Sequence, residues 1–180
     1  MKYRALLVLA TFLLLAVPAV RSQDLTVFVG GTLPSDIGRD LSKIRLENGP
    51  IWGFRASFGF AAYLGFEHTL AFSPDYLFPK DRPDVKEARG FIYNANLIVN
   101  LPAPRVVPYA TFGLGFIHQY GSSDLPVGFE FAVNYGGGFK VPRLFGPFGL
   151  RIDGRGYTVP RVLSTKLNVF ELSGGLLISF

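Results

Sequence analysis

Few side chains in this sequence are equipped for chemistry. The 180 residues contain no cysteine and two histidines, His68 and His118. Without thiolates, two imidazoles are no adequate ligand set for a transition metal, so no metal is expected. The pairs Asp36 with Asp40 and Asp81 with Asp84 lack the run of oxygen ligands that a calcium loop needs. Gly136-Gly137-Gly138 lies inside a strand pattern rather than between a strand and a helix. It therefore makes no phosphate cradle, and no cofactor is expected. His118 lies close in sequence to Ser122 and Ser123, with Glu130 on the next strand pattern. A different set of charges interrupts otherwise apolar runs: Arg55, Glu67, Glu130, Arg151, Asp153, Arg155 and Glu171. Their expected chemistry is ion pairing.

The elements that must position these groups show a two-residue period. From Pro50 to Phe60, Trp52, Phe54, Ala56, Phe58 and Phe60 alternate with Gly53, Arg55, Ser57 and Gly59. The same pattern recurs in Asp24–Leu33, Tyr63–Phe72, Ala88–Leu101, Val106–Tyr120, Val127–Phe139, Phe148–Val159 and Leu167–Phe180. That makes eight strands of roughly ten residues, the length that crosses hydrocarbon at a tilt. Pro34–Gly49 and Ser73–Glu87 read as long charged loops, Gly121–Pro126 and Pro160–Lys166 as further loops. Ala61-Ala62, Pro102–Arg105 and Lys140–Gly146 read as turns.

Composition agrees with an apolar exterior: 49% of residues are hydrophobic, 15% aromatic and only 17% charged. Residues 1–22 read as a cleaved signal peptide, with Lys2 and Arg4 before the apolar run Ala5–Ala16 and Val20-Arg21-Ser22 as a small-residue exit. The domain proper is then 23–180. Without Lys2, Arg4 and Arg21 the chain carries 15 basic against 13 acidic residues, a net charge of +2. Nucleic-acid binding therefore loses its compositional support.

A soluble, lipocalin-like ligand-binding barrel would alternate too, so the decisive question is which face is apolar. An eight-stranded interior could hardly hold so many Phe rings, and the opposite face would leave glycine outside. Apolar-out is expected, with the seven charges pairing in the lumen as a plug, because an unpaired buried Arg costs several kcal/mol. Symmetry about Ala61 would place Arg55 opposite Glu67. Pairing about residues near Arg143 and Leu163 would place Glu130 and Glu171 beside Arg155. Trp52, Tyr76, Tyr109, Tyr120, Phe139 and Phe145 are expected as interfacial aromatics.

The closing stretch LNVFELSGGLLISF, Leu167–Phe180, with its alternation and terminal Phe180, resembles the last strand of bacterial outer-membrane barrels. With the leader, eight alternating strands and charged loops, the mature chain is similar to the small family typified by the OmpA transmembrane domain, OmpX and OmpW. The resemblance implies an all-β fold, an eight-stranded antiparallel up-and-down transmembrane β-barrel in the outer membrane, preceded by a signal peptide. It implies outer-membrane lipid and lipopolysaccharide as surroundings, Phe180 as the signal read by the barrel-assembly machinery, and a monomer with a structural or surface-interaction role. Passage of small solutes or ions stays open. Lipid A deacylases of such barrels carry a serine two residues after the histidine. Here that position is Tyr120, and Glu130 has inward parity, so no catalytic residue is assigned.

Overall fold

The alternation resolves into eight strands: β1 (Ser22–Pro34), β2 (Gly49–Gly59), β3 (Leu64–Ser73), β4 (Ala88–Asn100), β5 (Val107–Gly121), β6 (Phe129–Phe145), β7 (Phe148–Val162) and β8 (Thr165–Ser179). The computed structural model describes residues 22–37, 44–81, 84–101, 103–122, 125–162 and 165–180. The expected leader lies outside the described residues except for Ser22, as do Asp40 and Ser123. Each strand pairs antiparallel with its neighbour in sequence, and β1 also pairs with β8. Closure leaves no free sheet edge, so the backbone polar groups of every strand have partners on both sides. Among the described residues no helix is long and apolar enough to cross a membrane.

The pleat sorts the side chains as expected. Phe54, Phe66, Phe112 and Phe131 are between 42% and 59% exposed, whereas Arg55 and Arg155 have no solvent contact. A soluble monomer rarely shows so continuous an apolar belt; in hydrocarbon it is the required surface.

Three hairpins depart from the expected turns. β6 does not stop at Phe139 but runs to Phe145, through an irregularity between Val141 and Phe145 where Arg143 adopts a φ of 53°. The turn itself is only Gly146-Pro147, with Phe145 opposite Phe148 and Gly146 at a φ of 63°, the left-handed geometry that a tight hairpin asks of its first central residue. Likewise β7 reaches Val162 and β8 begins at Thr165, so the two strands take up most of the expected loop Pro160–Lys166. The β2–β3 hairpin pivots one residue later than Ala61, which sets Arg55 opposite Thr69 and Ser57 opposite Glu67.

Two loops at one end fold onto each other. Leu46 bridges Pro79, the Lys80 N–H donates to the Arg45 carbonyl at 2.8 Å, and the Glu47 N–H donates to Phe78 at 2.8 Å. Ile37, Leu46, Tyr76 and Leu77 from these loops are buried in one cluster with inward residues of the barrel.

The lumen as candidate functional site

The strands that carry the buried charges place them at one level. Along β7 the inward positions run Arg151, Asp153, Arg155, and along β8 they run Ser173, Glu171; Arg55 comes from β2 and Glu67 from β3. Arg155 Nη2 lies 2.5 Å from Glu67 Oε1 and 2.9 Å from Asp153 Oδ1. Arg151 Nη2 lies 3.0 Å from Asp153, while its Nη1 approaches Glu67 Oε2 at 2.6 Å as an ion contact without hydrogen-bond geometry. Arg55 bridges Asp153, at 3.3 Å, and Glu171. Three guanidiniums thus meet three carboxylates, and the cluster is neutral. This neutrality matters because each ion removed from water costs several kcal/mol, which only close, multiply bonded partners offset.

Neutral groups complete the shell. The Tyr109 hydroxyl donates to Asp153 and accepts from Arg151 Nε at 3.0 Å. The Tyr157 and Ser173 hydroxyls each donate to Glu171 at 2.5 Å, and the Ser57 hydroxyl donates to Glu67 at 3.0 Å. The Arg55 guanidinium lies 3.5 Å from the centre of the Phe28 ring, and that of Arg151 lies 4.6 Å from the centre of the Tyr109 ring. A separate pair, Lys140 Nζ to Asp24 at 3.2 Å, stands nearly buried on β6 and β1.

Glu130 does not join the cluster. Its expected place beside Arg155 assumed a turn near Arg143. With the turn at Gly146-Pro147, Arg155 faces Gly136 instead, and Glu130 sits half-buried opposite Ile117 near the start of β6. Glu171, by contrast, is directly opposite Arg155. Glu67 reaches Arg151 and Arg155 across the lumen rather than Arg55 on the adjacent strand.

Beyond the ions, toward the long loops, the lumen turns apolar. Inward Tyr157 and Val159 follow Arg155 on β7, and Val169 and Leu167 follow Glu171 on β8. Ile51, Ile92 and Ile117 join them, closed over by Leu46, Tyr76 and Leu77. Gln119 ties the closure down: its Nε2 donates to the carbonyls of Tyr76, at 2.9 Å, and Leu77, at 3.2 Å, while its Oε1 accepts from the Val127 N–H at 3.1 Å. Leu77 holds a φ of 54°, unusual for a residue with a branched side chain.

Two expected interfacial aromatics are in fact inside. Tyr109 shares parity with Thr111 and Gly113, so the pleat aims it at the ions. Tyr76 lies in a loop that enters the barrel mouth, against Gly90, where a Cβ would fall 2.6 Å from the Tyr76 Cβ. Trp52, Tyr120, Phe139 and Phe145 are exposed on the outside, as is Phe180, whose N–H donates to the Gln23 carbonyl at 2.9 Å. An outer ladder of rings continues from Trp52 through Phe72, Phe91 and Phe116 to Phe129, with centroids 5.0–5.9 Å apart from one strand to the next. Those four phenylalanines share strand ends and outward parity, a signal sufficient to have found them.

Among the described residues neither histidine is hydrogen-bonded to a serine or a carboxylate. His118 packs with Tyr120 and Phe129 on the outer face, while the Ser122 hydroxyl accepts from the N–H groups of Lys86 and Glu87, both at 2.9 Å. His68 Nδ1 is 2.9 Å from the Tyr93 hydroxyl, also outside. Among the described residues no group of three His, Asp or Glu stands close enough to hold a metal.

A closed antiparallel cylinder of eight strands, apolar without and ionic within, is the fold of the small outer-membrane barrels. Neisserial surface protein A, in its crystal structure, is similar at a TM-score of 0.65, with 16% identity over 88% of this chain and 97% of that one. The outer membrane protein OprG from Pseudomonas aeruginosa gives 0.63, with 13% identity over 91% and 98%. AlkL, solved by solid-state NMR in DMPC lipid bilayers, gives 0.58, with 15% identity over 89% and 91%. No known family model and no curated protein matches the sequence.

Proposed function

We propose that this protein is an integral outer-membrane barrel with a structural and surface-interaction role, its lumen closed by its own side chains. The neutral, fully buried cluster of Arg55, Arg151, Arg155, Glu67, Asp153 and Glu171 carries this reading. A conducting path needs mobile ions to meet unpaired charge or water, and here each charge is held by at least one opposite charge. Above the cluster the apolar layer and the Gln119-clamped loop add a second barrier. The zipped loops around Arg45 and Asp81 are the surface offered to the exterior. Under this reading the chain is exported by its leader, inserted through β8 and Phe180 by the assembly machinery, and works as a non-enzymatic monomer amid lipid and lipopolysaccharide.

Planar-bilayer recording tests the closed lumen. The wild type is expected to be silent; steady unit conductance altered by Asp153→Asn would sink the reading. Solute passage has one observation in its favour: the inward amides of Asn94 and Asn96 and the hydroxyls of Thr69 and Thr111 have no hydrogen-bond partner among the described residues, so this wall calls for water. The non-enzymatic reading predicts unchanged lipid A acylation on expression, identical for His118→Ala.

A further inference from the structure

The outward face of the barrel is not uniform. Between β6 and β1 it is indented by a groove of about 340 Å³, floored by Gly154 and Gly156 of β7 and walled by Tyr135, Phe170 and Leu33. That volume lies within the ~300–1,000 Å³ of small-molecule sites. Two adjacent outward glycines remove the side chains that would otherwise level the wall. The Tyr135 ring already occupies the space over Gly156, where a Cβ would lie 2.6 Å from it. Over Gly154 the space is open, and a Cβ would have only an ordinary contact of 3.6 Å with Phe170.

The groove has a polar end, on the side of the long loops. There the Asn168 N–H donates to the Ser35 hydroxyl at 3.1 Å, and the Thr158 hydroxyl donates to the Asn168 side-chain oxygen at 2.9 Å. One outward step further along β8, about 7 Å in strand rise, stands exposed Lys166. An apolar trough that ends in hydroxyls, an amide and a cation complements an amphiphile with a hydrocarbon tail and an anionic head. We propose that this groove holds one acyl chain of a phosphate-bearing lipid of the outer leaflet, with Lys166 facing the phosphate. The proposal rests on the outer-membrane reading and goes beyond it by naming a fixed lipid site rather than a general lipid surface.

Native mass spectrometry of the detergent-purified barrel titrated with lipid A tests it. The wild type is expected to retain one lipid A per chain. Gly154→Leu adds a side chain into the open part of the groove and displaces about two methylenes' worth of contact, so retention should fall by about tenfold. Lys166→Gln should weaken phosphorylated lipid A and leave its dephosphorylated form unaffected. Ala95→Leu, which enlarges an outward residue on the far wall, should change nothing; heat-modifiable gel migration shows that each variant is folded. Equal retention by wild type and Gly154→Leu overturns the proposal, as does an equal loss in Ala95→Leu. A chain that stays in solution without detergent overturns the membrane reading itself, and the lipid site with it.

Discussion

The two levels of the lumen are filled by the same inward pleat positions yet hold together by opposite means. The ionic level, Arg55, Glu67, Arg151, Asp153, Arg155 and Glu171, depends on every member being present, because removal of one leaves its partners charged and dry. The apolar level, Ile51, Ile92, Ile117, Val159, Val169 and Leu167, depends on volume, and each deletion costs roughly what it vacates. The first level is therefore brittle and specific. The second is tolerant, which suits the part of the barrel that receives the apolar side chains of two folded-in loops.

The sharpest way to break this contrast is Arg155→Ala, expected to cost about 3–5 kcal/mol by urea unfolding in lipid vesicles, since Glu67 and Asp153 lose one of the two cations they share. A loss below about 1 kcal/mol would mean the pair behaves like an exposed one. Adding Glu67→Ala should restore part of the loss, with a coupling of ~0.5–3 kcal/mol. In the apolar level, Ile117→Ala should cost ~2–5 kcal/mol with no such rescue by a second deletion. Gln119→Ala, which frees the carbonyls of Tyr76 and Leu77 and the Val127 N–H, should cost ~1–3 kcal/mol. It should also speed hydrogen exchange in the loop more than in the strands; uniform acceleration would argue against a latch.

The smallest effect is expected at the loop surface. The hydrogen bond from the Arg45 guanidinium, at 2.8 Å, holds the exposed Asp81 carboxyl below its ordinary range. Because the folded value is depressed, the contact contributes above the unfolded pKa of Asp81 and fades as pH falls through the folded one. In Arg45→Gln, which keeps the backbone N–H contact to Asp81, NMR titration should find the Asp81 pKa raised toward the ordinary value, with barrel stability scarcely changed.

Much of this was readable from alternation. Arg55, Glu67, Arg151, Asp153, Arg155 and Glu171 share the parity of glycine, serine and threonine on their strands, and that parity alone sent them inward. Tyr109 obeys the same rule and could have been placed inside by it; its aromatic character suggested the interface instead. Glu130 illustrates the other kind of difficulty. Nothing in Lys140–Gly146 announces that the strand continues to Phe145, and a shift in the turn moved every β6–β7 partner by several residues.

Tyr76, Leu77 and Leu46 lie in segments whose prolines and charges describe solvated loops, and no local pattern says that their apolar members turn back into the barrel. The Lys140–Asp24 pair joins strands separated by more than a hundred residues and emerges only once the cylinder closes. The sequence by itself determined the number of crossings and the face each side chain takes, because the pleat makes sidedness a property of parity along one strand. Only the tertiary structure decided which charges touch and which loop seals the mouth, because those depend on register between strands and on where each turn pivots.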